Sequence, residues 1–210
     1  MFTRDYKTFA PGEFFHIYNR GNNKQDIFLG DSDYEFFLLR LKQNLYPDKF
    51  DELTIQPLPP NSFSLISYCL MPNHFHLLIR QNSEIQTSKL MLKLCSSYSK
   101  VFNKKHERVG HLFQDQFKQI LIDRAEYLKW IVAYICQNPK MANIVKNSYD
   151  YKWSSYQEHK LNLPNHGMCD GKVIGEFFGE ENVADFIEAS YSIIKNNKIG
   201  QKIESNLLMD

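Results

Sequence analysis

The sequence predicts an α+β fold: a ferredoxin-like β-α-β-β-α-β core with an antiparallel sheet, followed by a tyrosine-bearing helix and a C-terminal helical segment. Three observations carry this expectation. Four short runs rich in aromatic and β-branched residues, at 13–20, 63–70, 74–80 and 117–122, read as strands. Two stretches of helical periodicity fall in the first and third gaps between them. The middle two runs are separated only by Met71-Pro72-Asn73, a connection short enough to force an antiparallel hairpin.

The first strand, Glu13–Arg20 (EFFHIYNR), is closed by the turn signal Gly21-Asn22-Asn23. The first helix is expected from a capping box, Ser32 with Glu35 three residues on. Tyr34, Phe37, Leu38, Leu41 and Leu45 then recur at helical spacing. Residues 47–61, with Pro47, Pro57, Pro59 and Pro60, read as a loop. After the hairpin, a second helix runs from about Gln86 to Lys104 with Leu90, Leu94, Tyr98 and Phe102 on one side. The strand FKQILI at 117–122 leads to Asp123, an expected N-cap for a third helix. Pro139 disfavours helical geometry at Asn138 and should end that helix there. A further helix is expected near Glu180–Lys195, where Val183, Phe186, Ile187, Tyr191 and Ile194 share a face. The expected division is a domain at 1–140 and a helical extension at 141–210.

With 43% hydrophobic and 23% charged residues, the 210-residue chain is expected to fold rather than stay disordered. No Cys pair has C-x-x-C spacing, which excludes a zinc ribbon and a thioredoxin motif. No apolar run is long enough to span a membrane, and the N-terminus has no apolar signal core, so a cytoplasmic protein with free thiols is expected. Net charge is +1, but it is unevenly spread. Residues 89–160 carry 13 Lys+Arg against 6 Asp+Glu, and residues 161–210 carry 4 against 8. A basic middle is what phosphate binding needs; solvated lysines on helices would give the same count.

Two short motifs carry chemistry. In MPNHFHLLI (71–79), strand alternation puts His74 and His76 on one face and Phe75 on the other. Two neutral imidazoles one strand period apart can share a metal ion; two partly exposed histidines at a strand edge would also satisfy the pattern. In YICQN (134–138), Tyr134 and Asn138 lie one helical turn apart on one face. One brings a phenol and the other an amide oxygen; a core aromatic and a helix cap is the alternative. Together the motifs suggest phosphoryl transfer, with a metal to polarise a phosphate and a positioned phenol to attack it.

MPNHFHLLI is similar to the histidine–hydrophobe–histidine motif of HUH single-strand endonucleases. HIYNRGNN, MPNHFHLLI, GHLFQDQF, YICQNPKMANIV and YKWSSYQEH, in that order over about residues 12–160, resemble the REP-associated tyrosine transposases, a branch of the single-tyrosine insertion-sequence transposases. The resemblance implies His74 and His76 as metal ligands, Tyr134 as nucleophile and Asn138 as a third ligand. It further implies Mg²⁺ or Mn²⁺ as cofactor, single-stranded or hairpin DNA as partner, a 5′-phosphotyrosine product and a bacterial, nucleoid-associated setting. Cys136 and Lys140-Met141-Ala142-Asn143 depart from the family pattern, where His and Val-x-Ala-Gly are common. Arg20 and Asn22, beside His16 and Gly21, are candidate DNA contacts, as are Lys100, Lys104, Lys105 and Arg108. Gln114 and Gln116 are candidates to line the site. Trp153 and Tyr156 either stack on bases or pack the C-terminal segment. Other readings are rolling-circle nicking and a domesticated hairpin-binding protein without catalysis. A monomer and a homodimer both remain open, and with them a site built within one chain or between two.

Overall fold

A computed structural model describes residues 10–53, 55–161 and 167–196. Its four strands are β1 (Phe14–Arg20), β2 (Phe63–Met71), β3 (His74–Gln81) and β4 (Lys118–Ile122). They form one sheet in the order β2-β3-β1-β4, with every neighbouring pair antiparallel. This is the order of the ferredoxin-like fold, in which β3 lies between β2 and β1. The helices are α1 (Asp31–Leu45), α2 (Thr87–Lys105), α3 (Ala125–Met141), α4 (Tyr156–Leu161), α5 (Gly171–Phe178) and α6 (Val183–Asn196).

Strand alternation divides the sheet into two faces. Phe15, Ile17, Phe75, Leu77 and Ile79, all fully buried, point toward α1 and α2. There the Phe37 ring of α1 lies 5.0 Å from Phe75 and 5.2 Å from Tyr98 of α2. The opposite face carries His16, Tyr18 and Arg20 from β1, and opposite them His76 and His74 from β3. That face is covered by α3, against which α6 packs. The outer edge of β2 is covered as well. Cys69 bridges to Ser154, Leu70 N–H donates to the Trp153 carbonyl, and Ser155 N–H donates to the Tyr68 carbonyl. Pairing this edge removes it as a template for association with other chains.

Three expected helix boundaries are corrected. Helix α1 begins after Gly30, and no side chain caps it from that position. Ser32 instead accepts a hydrogen bond from Lys105 Nζ, and Asp33 takes the Leu29 N–H at 2.9 Å, so a single bond to Asp33 stands where the Ser32/Glu35 box was expected. Helix α3 begins one residue late for Asp123, and extended Arg124 holds its N-cap position without a side-chain cap. It also runs through Pro139 to Met141. A proline so near a helix end removes only one backbone bond. The end is closed by Ala142 N–H to the Asn138 carbonyl and Ile144 N–H to the Pro139 carbonyl. Asn138 is therefore an interior helical residue, not a cap.

Gly21 fixes how β1 leaves the sheet. Its N–H donates to the Asn73 carbonyl, and its own carbonyl accepts from Lys24 N–H in the tight turn that follows. A Cβ at Gly21 would run into the Gln25 carbonyl oxygen and lie 2.9 Å from Ile27 Cγ2. Neither neighbour is a free side-chain end, so the turn itself would have to move. Gly21→Ala is expected to lower unfolding free energy by about 1–3 kcal/mol, the usual range for overpacking. Urea unfolding of the variant measures this; an unchanged midpoint would refute the packing argument.

Candidate active site

The two motifs, with 54 residues between them in the chain, meet under α3. His76 is fully buried at the centre of the cluster. Its Nδ1 lies 3.0 Å from His16 Nε2, and its Nε2 lies 3.2 Å from Asn138 Nδ2. The His16 and His76 rings stack, with centroids 5.1 Å apart and planes inclined by 18°. His74 is half-buried beside them, its ring centroid 5.0 Å from that of His76. Asn73, from the hairpin turn, approaches His74 Nδ1 through its Oδ1 at 2.6 Å. Tyr134 meets both inner histidines edge-on, at 5.7 Å from His76 and 6.2 Å from His16. Tyr134 itself is 0% exposed.

Burial keeps the histidines neutral. It draws His16 down to about 3, because a buried imidazolium loses its hydration. It draws His74 down to about 4, helped by the positive charge of Arg20 and opposed by a hydrogen bond with Asn138. His76 is also held well below its ordinary value, by burial first and then by His74 and His16. Near neutral pH all three rings therefore retain lone pairs able to bind a cation.

Among the described residues, no three His, Cys, Asp or Glu side chains gather as a metal site. A cation here would need Asn138 as its third protein donor. The donor set allows it: rotation about the last bond of the Asn138 side chain exchanges its nitrogen for its oxygen beside His76 Nε2. Two imidazoles and one amide oxygen leave coordination positions for phosphate oxygens.

The open side of the cluster is the end of the sheet where β1 leaves and β3 begins. Arg20 pairs in register with His74 and is half-buried. Asn22 is exposed in the turn beyond it, its N–H donating to the Leu112 carbonyl. Gln114 and Gln116 are exposed nearby, and Gln114 N–H donates to the Arg20 carbonyl. The C-terminal end of α2 reaches the same end of the sheet, where Arg108 donates to Gln25 Oε1 at 3.0 Å. Lys100 and Lys104 are exposed on that helix, on the layer opposite α3. Trp153 and Tyr156 are core residues. Trp153 stacks on Tyr34 at 4.5 Å, and the Tyr156 hydroxyl donates to Glu188 at 2.7 Å.

Lys105 is bound into a structural cluster. Its Nζ lies 2.6 Å from Asp33 Oδ1, and His106 Nε2 lies 3.1 Å from both Asp33 oxygens. Burial raises the Asp33 pKa, but hydrogen bonds from Lys105, the Leu29 N–H and His106 outweigh it, so the carboxyl titrates below its ordinary value. A carboxyl depressed on folding contributes stability above its unfolded pKa, near 4, and that contribution is lost as pH falls through the folded value. Asp33→Asn is expected to cost about 1–3 kcal/mol at pH 7, with the difference from the parent shrinking below about pH 4. Denaturant midpoints at pH 7 and pH 3 test this, and a gap that stays constant with pH would contradict it.

Sequence reasoning placed His16 beside Arg20, or in the core, without joining it to His76, and it missed Tyr18 and Asn73 as members of the cluster. Alternation in EFFHIYNR puts His16, Tyr18 and Arg20 on one face, but which face of β3 they meet depends on a β1–β3 register that no local signal specifies.

Residues 39–138 match the family model for the IS200-like transposase. No curated protein matches the chain. Among solved structures, the chain is similar to a REP-associated tyrosine transposase bound to a REP hairpin. The TM-score is 0.55 at 14% identity, over 81% of this chain and 91% of that one; at this identity the likeness concerns the fold. Weaker similarities are to a putative transposase from Deinococcus radiodurans, with TM-score 0.40, 12% identity and coverage of 61% and 95%, and to tRNA(His) guanylyltransferase from Saccharomyces cerevisiae, with TM-score 0.42, 8% identity and coverage of 91% and 81%. Neither bears on the argument.

Proposed function

We propose that this chain, whose residues 39–138 match the family model for the IS200-like transposase, is a metal-dependent single-strand DNA transposase of the REP-associated branch, cutting and rejoining hairpin-bearing DNA ends. The proposed division is a catalytic unit at 1–140 and an extension at 141–210, whose described residues hold α4, α5 and α6. One observation carries the reading: Tyr134 and Asn138, one turn apart on α3, both face His76 within a single chain.

Tyr134 is the nucleophile. Its oxygen bonds to the scissile phosphorus, the bond from phosphorus to the 3′ oxygen breaks, and the phenol proton ends on the released 3′-hydroxyl. The 5′ end is left as a phosphotyrosine. That linkage keeps the reactivity of the broken diester, so a second 3′-hydroxyl can reverse the step and join a new end without ATP. His74, His76 and Asn138 would hold the cation, which when bound supplies charge neutralisation at the phosphate. Two nitrogen donors suit Mn²⁺ better than oxygen-demanding Mg²⁺. Neutral imidazoles are ready to bind without losing a proton. Arg20 and Asn22 stand at the open end to take the strand entering the site. Lys100, Lys104 and Arg108 on and after α2 track the backbone of the hairpin, with Lys105 in a lesser part because Asp33 already holds it.

A second reading rests on the complete burial of Tyr134. A phenol that never reaches the surface belongs to a hairpin-binding protein without catalysis. Single-stranded hairpin DNA, labelled on the 3′ side of the cut and incubated with Mn²⁺, separates the two on a denaturing gel. We expect labelled protein that EDTA abolishes. Tight DNA binding with no labelled protein across a hairpin library would favour the second reading.

A further inference from the structure

We propose that His16 is a positioning residue for His76: it accepts the Nδ1–H of His76 and so turns the lone pair of His76 Nε2 toward Asn138. The inference rests on the metal-site reading given above and goes beyond it, because His16 itself would touch neither cation nor DNA.

The geometry allows one proton in the 3.0 Å gap between His16 Nε2 and His76 Nδ1. If His76 donates it, His76 Nε2 carries a lone pair and receives the Asn138 amide N–H at 3.2 Å, so the chain of bonds runs in one direction from Asn138 to His16. If His16 donates it, His76 Nε2 carries a hydrogen, and the Asn138 amide would have to turn its oxygen inward to accept it. Only the first order leaves His76 Nε2 with a lone pair for a cation, since its Nδ1 faces His16. An acceptor on the far nitrogen of a ligating histidine fixes its tautomer and raises its basicity.

Two further features fit this role better than simple packing. His16 is fully buried, and its ring plane lies within 18° of that of His76, so its acceptor stays directed into the gap. Its other nitrogen, Nδ1, is buried with no hydrogen-bond partner among the described residues. An unpartnered buried polar atom is destabilising, because its lost hydration is not replaced. A leucine or phenylalanine would fill the space without that cost, so the ring is retained at the expense of stability.

The test uses the full-length protein and Mn²⁺ itself. Ring ¹⁵N shifts of the metal-free protein report which nitrogen of His76 bears hydrogen, and calorimetry reports Mn²⁺ affinity. We expect His76 to be protonated at Nδ1. His16→Phe, which keeps the ring and removes the acceptor, should weaken Mn²⁺ binding by about 10- to 100-fold. His16→Gln, whose Oε1 can accept in place of Nε2, should restore most of it. Unchanged Mn²⁺ affinity in folded His16→Phe overturns the proposal while leaving the metal site standing. Mn²⁺ binding absent from the parent protein, or undiminished in His76→Ala, overturns the metal-site reading instead; the shifts still decide whether His16 sets the tautomer. If His16→Phe does not fold, the parent's shifts decide alone, and hydrogen on His76 Nε2 overturns the proposal.

Discussion

Replacing Tyr134 by Phe is expected to abolish covalent capture of DNA while leaving the protein folded and able to bind hairpins. The phenylalanine ring keeps the edge-on contacts with His16 and His76, at 6.2 and 5.7 Å in the parent. Only the hydroxyl is lost, so the change in stability should stay within about 1.5 kcal/mol. Loss of a covalent nucleophile has no such ceiling; a fall of about 10³-fold or more in adduct formation is the ordinary scale. The nearest substitute is Tyr18, buried on β1 with its ring 6.0 Å from His76. Tyr18→Phe is therefore the informative control. Adduct that survives in Tyr134→Phe and vanishes in Tyr18→Phe would move the nucleophile to β1. Adduct lost together with hairpin binding would mean that the substitution acts through the fold.

The burial of Tyr134 shapes that experiment. With the phenol at 0% exposure, cleavage requires α3 or the Tyr134 side chain to move before attack. Local opening of this kind is populated only in proportion to its free energy. Slow single-turnover cleavage is the natural consequence. The sequence admitted a core aromatic at Tyr134 but did not decide for it. Period-3.6 spacing says that Tyr134 and Asn138 share a face, but not that the face is sealed against the sheet.

Much of the fold was legible because the signals are local. Alternation and turn residues gave β1 to β4 within a residue or so, and the Pro72-Asn73 turn required the hairpin. Helix α2 lies where Leu90, Leu94, Tyr98 and Phe102 placed it, and all four are buried. Two of the failures share one cause: a distant partner outweighed a local preference. Ser32 has the right spacing for a capping box, but Lys105, 73 residues away, takes its hydroxyl. Pro139 should stop a helix, yet its neighbour Asn138 is anchored to His76, 62 residues away, and the helix continues to Met141. The pairing of His16 with His76 is of the same kind, set by strand register alone. His74, His76 and Tyr134, which the structure brings together, were legible as candidates because each sits in a motif of three to five letters. The residue that orients them does not.

Co-expressing His76→Ala chains with Tyr134→Phe chains is expected to yield no more covalent product than either chain alone. Each chain would contribute one sound half of the site, so recovery requires that α3 of one copy serve the histidines of another. In randomly paired dimers with such exchange, about a quarter of the sites would be whole. The geometry argues against it. Within one chain, Asn138 is already 3.2 Å from His76, and only Asp123 and Arg124 separate β4 from α3. A link that short cannot carry α3 to a second molecule unless the helix first leaves the sheet. Leaving would expose Leu128, Ile131, Val132, Ile135 and Cys136, all buried in the folded chain. At roughly 1.5–3 kcal/mol for each large apolar side chain brought into water, the exchange is strongly opposed unless a partner helix fills the same groove. Product near a quarter of the parent level would show that partner copies do fill it, and the site would then belong to a dimer.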